Sequence, residues 1–318
     1  MRMGSALLAA ACVLSCGSSS SSPSNGPTVH TGLFTFASAA GDPLAADAAN
    51  LYWVGAKGIM SEPLAGGDET LLAGGGVFNC YGLTVDAQHA YWTNFDKNTV
   101  WSVPVAGGSP TQLAASPAPP YSIVAGPDAV YWVATSPGAS GSSAIVSVPK
   151  GGGTATTVVS TATEYAGTIA VDSSRLYWAL EQDSAIQAQP LTGGMPTTIA
   201  STSVGPVTSM VLAGSTIYFV SFEGGAVLSV PTSGGTPKVL ASNQRPLALA
   251  VDGSAVYFTD QGPMGTTTQA SICKVPLGGG AVQTMVSGRN PSGMGDIAVG
   301  PSYVYWVELA AKVMGFPK

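Results

Sequence analysis

Seven carboxylates, two tyrosines and one arginine fall beside a landmark that recurs through this chain: Asp42, Asp96, Glu181, Glu223, Asp260, Asp296 and Glu308, with Tyr81, Tyr121 and Arg245. Carboxylates next to flat rings suit a bound cation, an amine or a sugar, because the acids offer charge and acceptors while the ring faces stack. Pairs such as Glu181 with Glu223, or Asp260 with Asp296, have the residue types that glycoside hydrolysis uses, and there the separation of the two carboxyl groups decides the outcome. A histidine base is harder to place. The chain has 2 histidines, His30 and His89, and neither belongs to this set, so no catalytic residue is assigned. The metal, if one binds, cannot be named from these residue types. No Gly-rich loop opens a helix, so the glycines read as turns rather than phosphate cradles and no cofactor is expected.

The landmark is a Tyr-aromatic pair at Tyr52-Trp53, Tyr91-Trp92, Tyr131-Trp132, Tyr177-Trp178, Tyr218-Phe219, Tyr257-Phe258 and Tyr305-Trp306. A β-branched run follows each pair and ends at Pro63, Pro104, Pro149, Pro190, Pro231, Pro276 or Pro317. In six copies a Gly-Gly pair comes next: Gly66-Gly67, Gly107-Gly108, Gly151-Gly152, Gly193-Gly194, Gly234-Gly235 and Gly278-Gly279. One unit therefore reads as strand, turn at Asp252-Gly253, aromatic strand, proline-ended strand, Gly-Gly hairpin and last strand, with glycine supplying the positive φ angles at both turns. A four-stranded meander of this kind is a propeller blade, and a large aromatic on each side of its second strand buries both faces against neighbours. The expected fold is all-β: a seven-bladed β-propeller of four-stranded antiparallel blades. The segment Phe34-Thr35-Phe36-Ala37-Ser38 precedes the first copy and the last copy lacks a fourth strand. The N-terminal strand should therefore complete the C-terminal blade and close the ring.

That architecture gathers the acids and rings listed above on one face, around the channel mouth. His89 falls in a turn on the opposite face and His30 in the segment leading to the ring. The connections at 135–144 and 261–271 are longer than the others and read equally as lids or as tolerated insertions.

Arg2 and the apolar residues 4–14 form a secretory leader, and Val13-Leu14-Ser15-Cys16 matches the pattern at which a bacterial lipoprotein is cut and its cysteine acylated. The expected division is a signal peptide at 1–15, a lipid-anchored Ser-rich tether at 16–30 and the propeller at 31–318. Gly17 after the cysteine, rather than Asp, fits sorting to an outer membrane of the cell envelope. The net charge of -6 is spread out and no basic run exists, which excludes nucleic acid; the membrane is engaged through the lipid anchor alone. Cys80 and Cys273 remain for the ring, on one face but across it, and two free, partly buried thiols are expected.

Ala90-Tyr91-Trp92-Thr93-Asn94 and Val256-Tyr257-Phe258-Thr259-Asp260 resemble the YWTD repeats of low-density lipoprotein receptor propellers, over residues 31–318. The resemblance implies stable blades rather than a particular activity. Thr93 and Thr259 keep the threonine, Asp260 the aspartate, and seven copies exceed that family's usual six. Propellers of the virginiamycin B lyase type share the coarse pattern, but such an activity uses a pocket histidine that is missing here. The leading expectation is a monomeric, non-catalytic module that binds a protein, peptide or glycan at the mouth. The alternatives are a lyase or hydrolase with carboxylate chemistry there, and a purely structural envelope protein.

Overall fold

The structure, a computed structural model, describes residues 30–38, 40–75, 79–135, 142–161, 166–180, 183–262, 269–290, 294–308 and 312–318. Cys16, the leader, most of the tether, Tyr165, Glu181 and the middle of both long connections lie outside them. Strand β1 is Phe34–Ser38. Blade 1 comprises β2 (Ala40–Ala46), β3 (Asn50–Gly55), β4 (Gly58–Pro63) and β5 (Thr70–Gly74). Blade 2 is β6 (Leu83–Val85), β7 (His89–Asn94), β8 (Thr99–Pro104) and β9 (Thr111–Ala115). Blade 3 is β10 (Pro120–Ala125), β11 (Ala129–Thr135), β12 (Ser143–Pro149) and β13 (Thr156–Thr161). Blade 4 follows as β14 (Ala166–Val171), β15 (Arg175–Leu180), β16 (Ala185–Pro190) and β17 (Thr197–Ser201). Blade 5 is β18 (Ser209–Ala213), β19 (Thr216–Ser221), β20 (Ala226–Pro231) and β21 (Lys238–Ala241). Blade 6 is β22 (Pro246–Val251), β23 (Ala255–Asp260), β24 (Ala270–Pro276) and β25 (Gln283–Arg289). Blade 7 takes β26 (Met294–Val299), β27 (Tyr303–Glu308) and β28 (Lys312–Pro317) from the C-terminus and β1 from the N-terminus.

Each blade is an antiparallel four-stranded sheet, and the first strands pack one on the next around the ring, β26 returning to β2. The seven-bladed propeller expected from the repeat is the observed fold. Closure follows the expected route: β1 pairs antiparallel with β28, from Phe34 opposite Gly315 to Ser38 opposite Lys312. Gly315 is required there, since a Cβ would run into the Phe34 ring.

The Tyr-aromatic pair accounts for all seven seams. Neighbouring residues of a strand point to opposite faces, so the tyrosine of each blade meets the Trp or Phe of the next. Tyr52 shares a core with Trp92, Tyr91 with Trp132, Tyr131 with Trp178 and Tyr177 with Phe219. Tyr218 then joins Phe258, Tyr257 joins Trp306, and Tyr305 joins Trp53 across the closing seam. Most of these rings are fully buried. Aromatic truncation at such a site costs about 3–5 kcal/mol.

Two turn expectations need correction. The hairpin glycines stand at a fixed distance from the proline: Gly152 and Gly279, like Gly66, Gly107, Gly193 and Gly234, donate N–H to the C=O of the proline three residues earlier, at 2.8–3.0 Å. In blades 3 and 6 the left-handed pair is therefore Gly152-Gly153 and Gly279-Gly280, one residue later than the sequence reading. The turn at Asp252-Gly253 does not use a left-handed glycine. Asp252 closes it by accepting the N–H groups of Ser254 and Ala255 at 2.8 and 3.0 Å, while its other oxygen accepts from the Tyr257 hydroxyl at 3.1 Å. The same clamp recurs as Asp47 with Tyr52, Asp86 with Tyr91 and Asp172 with Tyr177. Four of the chain's carboxylates are thus absorbed by turns, since an Asp side chain can replace a backbone acceptor there.

Candidate functional site

The first strands of blades 1, 3, 4, 6 and 7 slip register near their start, between Gly41 and Leu44, Pro120 and Ile123, Ala166 and Ile169, Pro246 and Leu249, and Met294 and Ile297. A bulge re-aims the extra residues and ends regular pairing. Asp42, Tyr121 and Asp296 sit within these bulges, inside the strands rather than ahead of them as the sequence suggested.

At blades 2 and 3 the bulge and the loops build an aromatic cluster. Tyr81, Phe95 and Tyr121 stand with ring centroids 5.1, 5.3 and 5.5 Å apart, mostly edge to face, and Tyr81 is 44% exposed. The loop carrying Tyr81 is tied to the β7–β8 turn. Phe95 N–H donates to the Asn79 carbonyl at 3.0 Å, and the Asn79 amide donates to Asp96 at 2.8 Å. Gly82 lets the blades approach, because a Cβ there would strike the Tyr121 carbonyl.

Most of the expected acids among the described residues are held by local partners. Asp260 accepts the N–H groups of Arg245 and Gly262 at 2.8 and 3.1 Å, and Arg245 donates to the Gly262 carbonyl while its guanidinium lies 4.6 Å over the Phe222 ring. Glu308 is matched by Arg289 through two charge-assisted hydrogen bonds of 2.6–2.7 Å and also accepts from the Trp306 indole. Glu223 is exposed in the β19–β20 turn. The carboxyl pair that does form is Asp296 with Asp42, not Asp296 with Asp260. Across the seam of blades 7 and 1, Asp42 accepts the Asp296 N–H at 2.8 Å and Asp296 accepts the Leu44 N–H, while the Ile297 N–H reaches Asp296 from its own strand. Burial, then the neighbouring Asp42 charge, pushes Asp296 up to about 7, and burial raises Asp42 as well. Asp42 opens to solvent yet is crowded by protein, which accounts for a raised value at an accessible group.

Groups that sequence reasoning missed lie away from the mouth. Glu62, on β4, is 8% exposed and faces a cavity of about 170 Å³ lined by His30, Phe34, Tyr303 and Tyr305. Burial first, then the charges of Glu69 and Asp68, pushes its carboxyl up to about 8. The His30 ring stacks on Phe34 with centroids 3.7 Å apart, and the His30 backbone N–H donates to the Tyr303 hydroxyl. On blade 2 a cleft of about 470 Å³ is lined by Trp92 and Trp101 with Asn94, Lys97, Thr99 and Gln112. Phe95 and Phe222 carried a usable signal, since each directly follows an aromatic strand; Arg289 and Glu62 carried none. Cys80 and Cys273 are both free and buried, and burial pushes their thiols up to about 12 and about 11. Among the described residues no group of three or more His, Cys, Asp or Glu is arranged to hold a metal.

No protein-family model matches the chain, and no curated protein matches it. Solved structures do. Virginiamycin B lyase from Staphylococcus aureus, as a catalytically inactive histidine-to-alanine variant with quinupristin, aligns at TM-score 0.70 and 16% identity over 90% of this chain and 98% of that one. The β-propeller domain of Myceliophteria thermophila Cps50 (Swd1) aligns at 0.68 and 12% identity, over 90% and 99%. A nidogen/laminin complex contributes a chain at 0.55 and 19% identity, over 72% and 89%. At these identities the likeness is one of fold: the chain is a repeat protein with the β-propeller architecture.

Proposed function

We propose that this chain is a non-catalytic binding or scaffolding module of the bacterial cell envelope, monomeric and held at the outer membrane solely by a lipid anchor on Cys16. Its mouth takes a protein, peptide or glycan, and its blades are variants of the YWTD-type repeat. The observation that carries the reading is the Tyr81, Phe95 and Tyr121 cluster, where aromatic rings stay accessible instead of entering a seam. Exposed, mutually braced aromatics supply contact area at low entropic cost. Two structural neighbours were solved with a partner, nidogen with laminin and the lyase with quinupristin, so rings of this fold hold both proteins and small molecules. The inactive lyase variant carries alanine in place of a histidine. In this chain His89 stands at the start of β7, at the opposite end from Asn94 and roughly 17 Å away for five residues of strand; His30 packs at the start of β27. That placement favours binding over histidine chemistry.

The test is capture from envelope extract by the full-length protein, beside a variant with Tyr81→Ser and Tyr121→Ser. A partner retained by the parent and lost by an equally stable variant supports the mouth as the site; equal retention refutes it. Incorporation of labelled palmitate, expected in the parent and absent after Cys16→Ser, tests the anchor separately.

A further inference from the structure

We infer that the cleft on the flank of blade 2 is a carbohydrate site, in which Trp101 is the platform for a pyranose ring and Lys97 selects for an acidic sugar. At the matching position opposite the strand-B aromatic, the other blades place Met60, Val146, Gln187, Leu228, Cys273 and Met314. Five of those six side chains are buried in seams. Trp101 packs against the core between blades 1 and 2 yet is only partly buried, so the largest side chain of the set also keeps a face in the cleft.

The indole is held in place. Its N–H donates to the Thr99 hydroxyl at 2.9 Å, and Trp92, opposite it across the strand pair, lies nearly parallel at 17° with centroids 6.3 Å apart. A ring fixed before binding loses little freedom on binding. Gly74 and Gly75 close the wall on the blade 1 side with no side chain to fill the space. The cleft, about 470 Å³, falls in the range of small-ligand sites, ~300–1,000 Å³.

The polar lining decides the ligand class. Gln112 carries an exposed amide, which donates and accepts, and Thr99 a hydroxyl, while the buried Asn94 amide accepts the Lys97 backbone N–H at 3.0 Å and fixes the turn that carries the lysine; sugar hydroxyl groups both donate and accept. A pyranose adds an apolar C–H face that lies flat on an indole, so its two kinds of surface match the two kinds of lining. Among the described residues no carboxylate lines the cleft, which disfavours a cation or amine, and Lys97 is the one charged side chain lining it. The comparison with other clefts sharpens the point. The 260 Å³ cleft on blade 3 has Pro, Ala, Ser and Thr but no aromatic ring, and the 430 Å³ cleft by Pro63 and Leu64 has the Asn50 amide and the Tyr305 ring but no indole. Blade 2 alone among these joins an accessible indole to amides.

The experiment titrates the full-length protein with tetragalacturonate, chitotetraose and maltotetraose, read by tryptophan fluorescence and calorimetry at low and high salt. Saturable binding is expected for at least one oligosaccharide, with tetragalacturonate favoured several-fold at low salt. Trp101→Ala should weaken binding at least tenfold, and Lys97→Ala should remove the preference for the acid while sparing the neutral sugars. If Trp101→Ala fails to fold, Gln112→Ala and Lys97→Ala, both at exposed positions, carry the test. No saturable binding to any of the three overturns the inference. So does binding that survives Trp101→Ala but is lost with Tyr81→Ser and Tyr121→Ser, a result that would instead place the sugar at the mouth and leave the binding-module reading standing.

Discussion

Replacing Glu62 by Gln should stabilise the protein, and increasingly so as pH rises. The carboxyl is 8% exposed and stands between a small aromatic cavity and the charges of Asp68 and Glu69. Its ordinary value of 4.5 is pushed up to about 8. In the folded state it keeps its proton to near pH 8, whereas in the unfolded chain it ionises above about 4.5. Its contribution is therefore fully present below 4.5 and is lost as pH rises towards 8. At about 1.4 kcal/mol per pH unit that window has a ceiling of about 5 kcal/mol. The cavity beside the carboxyl admits water, so about 2–3 kcal/mol is the expected size. Gln has a similar shape and no proton to lose, so parent and variant should melt alike at pH 4.5 and diverge to pH 8. For a chain of this length the gap corresponds to roughly 4–10 °C. Paired thermal melts at pH 4.5, 6, 7 and 8 read it directly, because all other ionisations are common to both proteins. Parallel curves, or a variant less stable at pH 8, would refute the reasoning.

Asp86→Asn should cost about 1–2 kcal/mol at pH 7, read by denaturant melts, because Lys150 at 2.7 Å loses its counter-charge. Burial alone would raise Asp86, but Lys150, two backbone N–H groups and Tyr91 outweigh it and hold the carboxyl at about 2. The Asp86 contribution is present above its ordinary 3.8 and lost as pH falls towards 2, so the difference between parent and variant should close over that interval. Phe36→Ala should cost about 2–3 kcal/mol in the same melts, since its ring packs on Tyr305 at 4.9 Å and Trp53 at 6.3 Å across the closing seam. Gly295→Ala should destabilise by about 1–3 kcal/mol, its Cβ meeting the Asp42 carboxylate, whereas Gly253→Ala, in open space, should stay within about 0.5 kcal/mol. Equal effects of the two glycine changes would contradict the placement of Asp42 against blade 7.

The architecture was legible because its determinants repeat. Each Tyr-aromatic pair serves two seams, and the orphan strand was read at Phe34–Ser38, the bounds it adopts. Runs of three glycines hid the hairpin register at 151–153 and 278–280, where the distance from Pro149 and Pro276 is what decides. The Asp252-Gly253 turn was misread because Asp-Gly favours a left-handed glycine in isolation, while here the Asp side chain meets a tyrosine five residues on. The mouth was less legible. Asp42 with Asp296 and Arg289 with Glu308 are joined across blades by bulges and strand ends, which leave no mark in local sequence. Trp101 looked like one more member of a strand, and only its incomplete burial sets it apart.

Pairing of β1 with β28 also orders events in time. Within a blade, partners are joined by short hairpins, but Ser38 and Lys312 are 274 residues apart. Loop-closure entropy rises by about 0.6 kcal/mol per doubling of length, so this contact costs roughly 3–4 kcal/mol more to nucleate than a hairpin does. At synthesis rates of roughly 5–20 residues per second, the first strand made waits about 15–60 s for its partner. Six blades can form as they emerge; the seventh cannot exist until β28 arrives. A chain that stops anywhere before β28 therefore leaves both the Phe34–Ser38 edge and the aromatic seam of Trp53 uncovered, and the ring itself distinguishes a finished molecule from an unfinished one.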